Sequence, residues 1–195
     1  MNRIRRWLPR ALFEAFLIVV SIVVALAVNE WRERHARLER VAEARDVFAN
    51  EIESNRTLLR SESYLPHHRR LQAEYKQLTA ENSDAPGTLF DTGVHPAPLR
   101  DAAWRSFSAG ATLVEFAPAE LVMLSDIYRA QEDLARMNAN FIGQATAPRS
   151  DRETPEYKRD QTRSISMYLN DTVPLEEGLV QSYDIALQRL KLPNK

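Results

Sequence analysis

Residues 11–28 read ALFEAFLIVVSIVVALAV, with Trp31 three positions beyond. From Ala15 to Val28 no charge interrupts the run, and Ser21 is its only polar side chain. Those fourteen residues make about 21 Å of helix, short of a hydrocarbon core of about 30 Å. Leu12 and Phe13 lengthen the segment, at the cost of bringing Glu14 into it. Trp7 and Trp31 stand 24 residues apart, about 36 Å along a helix, which suits one aromatic at each membrane interface. The stretch predicts a membrane-spanning helix over residues 11–30, preceded by a basic tail over 1–10 and followed by a helical body over 31–195.

A cleaved signal peptide is the rival reading. Arg3, Arg5, Arg6 and Arg10 make a basic start, and Ala25-Leu26-Ala27 has the small-x-small form of a cleavage site. The helical pattern runs on through Ala27 without a breaker, which favours a retained anchor. Orientation is set by a weaker signal. Arg3, Arg5, Arg6 and Arg10 on one flank balance Arg32, Arg34, Arg37 and Arg40 on the other. A short tail before a single anchor is the layout that places the tail in the cytoplasm and translocates the long body. The expectation is therefore a cytoplasmic N-terminus and a periplasmic domain at a bacterial inner membrane.

Composition narrows the rest. Lys and Arg number 26 against 27 Asp and Glu, and no long basic run occurs outside the N-terminal tail, so no nucleic-acid partner is expected. The chain has no cysteine, which removes disulfides and thiolate metal sites from consideration. Beyond the anchor, Trp31, Leu38, Ile52 and Leu59 share one heptad position, and Val41 and Phe48 share its companion. This predicts a long amphipathic helix to about Arg60, its seam interrupted at Arg45 and Asn55. Ser63 is the expected cap of a second helix carrying Leu71, Tyr75 and Leu78. Residues 82–98 contain Pro86-Gly87, Gly93, Pro96 and Pro98, and read as a loop or hinge. A short helix follows from Asp101 to Gly110, bearing Trp104 and Phe107. A longer one opens at Pro118 and closes at Gly143, and two more open at Thr154-Pro155-Glu156 and at Val173-Pro174. Pro193 ends the last. The fold class is all-α, with Trp104, Phe107, Ile127, Tyr128 and Leu134 expected in the core of a bundle-like domain.

Several features of the first helix resemble a group of uncharacterised single-pass bacterial membrane proteins. Their hydrophobic segment takes in a Glu, has a small residue at its centre and ends Ala-Leu-x-x-Asn-x-Trp. Here those positions are Glu14, Ser21 (glycine in the group) and Ala25-Leu26-Ala27-Val28-Asn29-Glu30-Trp31. Trp104, Gly110 and Tyr128 look like the group's later Trp, Gly and Tyr. The resemblance implies an anchored helical domain and supplies no catalytic residues.

Sites of chemistry are sparse. His67-His68 are neighbours on a helix and point apart, so they do not form the i,i+4 pair a metal needs, and a solvated helix start is expected. Ser106-Phe107-Ser108-Ala109-Gly110 lacks the first glycine of a nucleophile elbow. Asp126, Glu132 and Asp133 read as a solvated helix face. Neither metal nor cofactor nor catalytic residue is expected. The residues singled out are Glu14, Ser21 and Ala25 for membrane-helix packing, with Trp7 and Trp31 as interfacial anchors. A non-enzymatic scaffold or accessory subunit of an envelope complex follows, partnered by the bilayer and by a second copy or another membrane protein. The alternatives are an ion- or force-coupling subunit using Glu14, and a secreted helical protein cleaved after Ala27.

Overall fold

The computed structural model describes residues 4–87, 89–110, 112–148 and 152–191; of residues 4–12, 89 and 90 it describes the backbone alone. Its helices are α1 (Ile4–Arg60), α2 (Leu65–Ala80), α3 (Leu89–Thr92), α4 (Ala102–Ser108), α5 (Pro118–Thr146) and α6 (Pro155–Leu190), with a 3₁₀ turn at Thr112–Glu115. No strand occurs among the described residues, so the protein is all-α. The chain divides into two compact units, Met1–Glu43 and Ala44–Lys195, whose boundary falls within the span of α1.

In the first unit, α1 is the helix long and apolar enough to cross a membrane, and its apolar window is wholly unburied. Phe16, Ile18, Val23 and Leu26 are exposed on several sides of it. A surface helix of a globular protein would bury one stripe of such residues.

The second unit is held by two helix pairs, α2 with α6 and α5 with α6. Contacts climb along one helix as they descend along the other, so both pairs are antiparallel. His68 meets Glu176 and Gln72 meets Asn170, while Asn138 meets Tyr168 and Gln131 meets Tyr183. Leu71, Tyr75, Ile165, Tyr168 and Leu169 form a core cluster, flanked by Leu78, Val94 and Phe141. From residue 44 on, the expected seam of α1 is buried: Phe48, Ile52 and Leu59 are fully enclosed, each worth about 1.5–3 kcal/mol. Phe48 touches the rings of Phe107, Phe116 and Tyr128. Arg45 and Asn55, which interrupt that seam, are tertiary pins. Arg45 Nη2 donates to both oxygens of Glu120 at 2.8 and 2.6 Å. Asn55 donates to Arg100 O and accepts from Arg100 N–H, each at 2.8 Å.

Four boundaries differ from the sequence expectation. Tyr64, not Ser63, is the N-cap of α2, and no side chain caps it. α5 runs past Gly143 to Thr146, because that glycine keeps a negative φ and does not take the left-handed turn of a C-terminal cap. Val173-Pro174 starts no helix: Pro174 lies inside α6. A mid-helix proline leaves a carbonyl one turn earlier without its N–H. Here Gln72 reaches across from α2 to Leu169 O and Asn170 Oδ1 beside that turn. Residues 82–98 hold the short α3 and are strapped down. Gly87 lies against Tyr75, His67 Nε2 donates to Gly93 O at 2.7 Å, and the rings of His67 and His95 stack. Thr154 does cap α6, accepting from Tyr157 N–H, with Pro155 at N1. Pro193, expected to end the last helix, lies outside the described residues.

Of the expected core, Ile127, Tyr128 and Leu134 are buried, whereas Trp104 and Phe107 are only half-buried. Trp104 lies on Tyr128 at 5.2 Å and Phe107 on Phe48 at 5.3 Å between ring centroids, and each keeps part of its surface in solvent.

Candidate functional site

Each unit carries its own polar arrangement. In the first, helical geometry at 100° per residue puts Glu14, Ser21 and Ala25 within about 40° of one another, on one face of α1. The Ser21 hydroxyl donates to Leu17 O at 2.8 Å. That back-bond satisfies the hydroxyl inside its own helix, so the face can lie in hydrocarbon or against another helix without an orphaned donor. Ala25 and Glu14 are exposed. Trp31 is exposed with its ring against His35, at 4.6 Å between centroids. Just before it, Asn29 Nδ2 donates to Glu33 Oε1, and Arg34 pairs with Glu30. These contacts put polar groups one turn apart directly after the apolar run. The side chain of Trp7 lies outside the described residues.

The second unit overturns the reading of His68. It is fully enclosed, and its Nδ1–H donates to the Glu176 carboxylate at 2.9 and 3.0 Å. Glu176 is equally enclosed, two positions after the proline that the sequence reads as a helix start. The signal was there. Leu65, His68, Leu71 and Tyr75 follow the helical repeat of one face, and so do Leu169, Thr172, Val173, Glu176, Leu179, Val180 and Tyr183 once α6 is read through Pro174. His67, by contrast, is part-buried and holds the loop at Gly93.

Further polar groups line the seams of α5 and α6. Tyr168 OH donates to Asn138 Oδ1 at 2.6 Å, and Gln131 Nε2 donates to Tyr183 OH at 2.8 Å. Tyr128 OH donates to Glu51 Oε1 at 2.7 Å, and Glu51 Oε2 accepts from Ala103 N–H. Burial pushes the phenol pKa of Tyr128, Tyr168 and Tyr183 up, because removal from water disfavours the phenolate; Glu51 adds to this at Tyr128. These contacts tie α5 to α6 and α1 to both α4 and α5. Among the described residues no cluster of three or more metal-ligating side chains forms.

A groove of about 830 Å³ runs along the outer side of α5. Ser125, Tyr128, Glu132, Ala135, Ala139 and Ile142 line it at helical spacing, so it follows about 26 Å of that helix. Pro96–Leu99 and Trp104 also line it, Trp104 stacked on Tyr128 at 5.2 Å and 17°. Gln131 lines it too, 4% exposed, and its Oε1 has no hydrogen-bond partner.

No family model matches the chain, and neither does any curated protein or solved structure.

Proposed function

We propose that the protein is a non-enzymatic scaffold or accessory subunit of a bacterial envelope complex, held by one membrane-spanning helix. Residues 11–30 cross the inner membrane, residues 1–10 stay in the cytoplasm, and the helical domain works in the periplasm. The observation that carries this reading is the wholly unburied apolar window of α1. Bilayer removes that surface from water; nothing in its own unit does. Glu14, Ser21 and Ala25 on one face suggest the contact, with a second copy of the chain or with another membrane protein, since small residues let backbones approach closely. The non-enzymatic part rests on how the polar groups are used: His68, Glu176, Tyr128, Tyr168 and Tyr183 hold helices together from inside.

Cross-linking between anchors in native membranes tests the contact. Ser21→Leu should abolish the cross-link, because the larger side chain holds the partner away. Glu14→Gln should weaken it and leave insertion intact. Cross-linking equal to the parent in both variants would dismiss the small-residue face. The place of Glu14 on that face also supports a second reading, an ion-coupling role. It gains if Glu14→Gln leaves the assembly whole and stops a proton- or sodium-driven process.

A further inference from the structure

We propose that a cluster of titratable side chains where α2 meets α6 is an acid-operated switch, whose protonation releases α2 and residues 82–98 from α6. Every residue in it belongs to the unit beyond Ala44, so the switch does not depend on the membrane reading.

Three of the four histidines of the chain gather at this seam. His95, on the strap formed by residues 82–98, is exposed and stacks on His67 at 5.1 Å between centroids and 22°. His67 is half-buried, with the ring of His68 6.0 Å away. His68 in turn reaches the Glu176 carboxylate at 2.9 Å, and both of those side chains are fully enclosed. Titratable groups thus follow one another from solvent into the core.

The seam has no means of taking up further positive charge. His68 and Glu176 together are neutral when they hold one proton between them. A second proton leaves an uncompensated charge in the core, where an unpaired ion is most costly. His68 Nε2 has no hydrogen-bond partner, so no neighbouring acceptor shares that charge. Among the described residues Glu176 is the only carboxylate in an ion pair with a histidine. The nearby charges are matched elsewhere. On α2, Arg69 pairs with Glu177 of α6 and Arg70 with Glu62; on α1, Arg56 and Arg60 pair with Asp184 of α6. Glu74 of α2 and Asp91 of the strap pair with neither exposed imidazole nor His67. Charging His67 and His95 therefore sets like charges 5.1 Å apart without a counter-ion. Each added proton disfavours the closed seam and is tolerated once the groups reach water, so acid favours the open form. Imidazole changes charge between about pH 5 and 8, which makes such a cluster responsive near neutrality.

Only one seam carries this chemistry. α2 is held on α6 by His68–Glu176, by Gln72–Asn170 and by Leu71 and Tyr75 in a cluster with Ile165 and Leu169. α5 is held on α6 through Asn138–Tyr168 and Gln131–Tyr183, amide–phenol pairs that stay uncharged in acid. Acid thus frees α2 and the strap, uncovers the apolar cluster and leaves α5 in place.

The test is hydrogen–deuterium exchange of the full-length protein in lipid nanodiscs at about pH 7.5 and about pH 5, with labelling times scaled to the intrinsic rate. Amides of α2 and of residues 82–98 should exchange roughly tenfold faster or more at the lower pH, while those of α5 change less than about twofold. The double variant His68→Leu with Glu176→Leu cannot take up the proton and should lose the response in α2. His95→Phe keeps a ring on His67 without the charge, and should lose the response in the strap. No acceleration at the lower pH, equal acceleration in α5, or a parental response in either variant would each overturn the proposal.

Discussion

Replacing His68 with leucine should destabilise the helical domain severely, and replacing Glu176 as well should restore most of the loss. Both side chains are fully enclosed, and their only mutual contact is the pair of Nδ1 approaches at 2.9 and 3.0 Å. His68→Leu fills a similar volume and leaves the carboxylate alone in the core, which costs about 3–5 kcal/mol. Glu176→Leu leaves an imidazole with neither nitrogen bonded, since Nε2 already lacks a partner, at about 1–3 kcal/mol. The double variant replaces the pair with two apolar side chains of similar size, a change that is commonly neutral or stabilising. The neighbouring Arg69–Glu177 pair is solvent-exposed and contributes about 0–1 kcal/mol. In a unit of this size, 3–5 kcal/mol lowers the melting temperature by roughly 6–20 °C. Urea unfolding of the full-length protein and its three variants, followed by circular dichroism, yields the coupling energy. The reasoning fails if His68→Leu costs less than about 1 kcal/mol, or if the two single costs simply add in the double variant. Either result would mean that α6 does not carry Glu176 through Pro174 to reach α2.

Three further outcomes are expected. Gly87→Ala puts a methyl carbon 2.7 Å from Cζ of the buried Tyr75 ring, so it should destabilise by about 1–3 kcal/mol, read as a lower urea midpoint with an unchanged slope. Pro174→Ala should stabilise by about 1–3 kcal/mol, because Pro174 is exposed inside α6 and alanine restores a backbone donor; a lower melting temperature would show that the proline sets a bend the fold needs. Stability should fall as pH rises above about 10: Tyr128, Tyr168 and Tyr183 have folded pKa values above the unfolded value near 10, so their contribution is complete below that pH and is lost as it rises. Each adds up to about 1.4 kcal/mol per pH unit to the slope, and a Tyr183→Phe variant should show a shallower fall.

The all-α class and the apolar helix were legible because both depend on local pattern. Periodicity found the buried seam of α1 at Phe48, Ile52 and Leu59, and the clean start of α6 at Thr154-Pro155. Punctuation misled where tertiary contacts overrule it. Pro174 and Gly143 are ordinary stop signals, yet each lies inside a helix, and beyond Pro174 the burial of Glu176, Leu179 and Tyr183 carries α6 onward. His68 and Glu176 are 108 positions apart in sequence, and each is polar, so neither stands out as core until the two helix faces are superposed. Arg45 and Asn55 are the converse. They broke an apolar pattern and were informative for that reason, since Glu120 and the Arg100 backbone wait opposite them. The groove along α5 has no sequence signature, because its wall, Pro96–Leu99, comes from a segment that reads only as a breaker-rich loop.

The anchor is the claim on which the proposed role stands. Intact-mass measurement of the protein extracted from carbonate-washed membranes tests it most directly. The account predicts a chain that resists carbonate extraction and retains residues 1–27. A soluble chain beginning at Val28, with residues 1–27 removed, would contradict it.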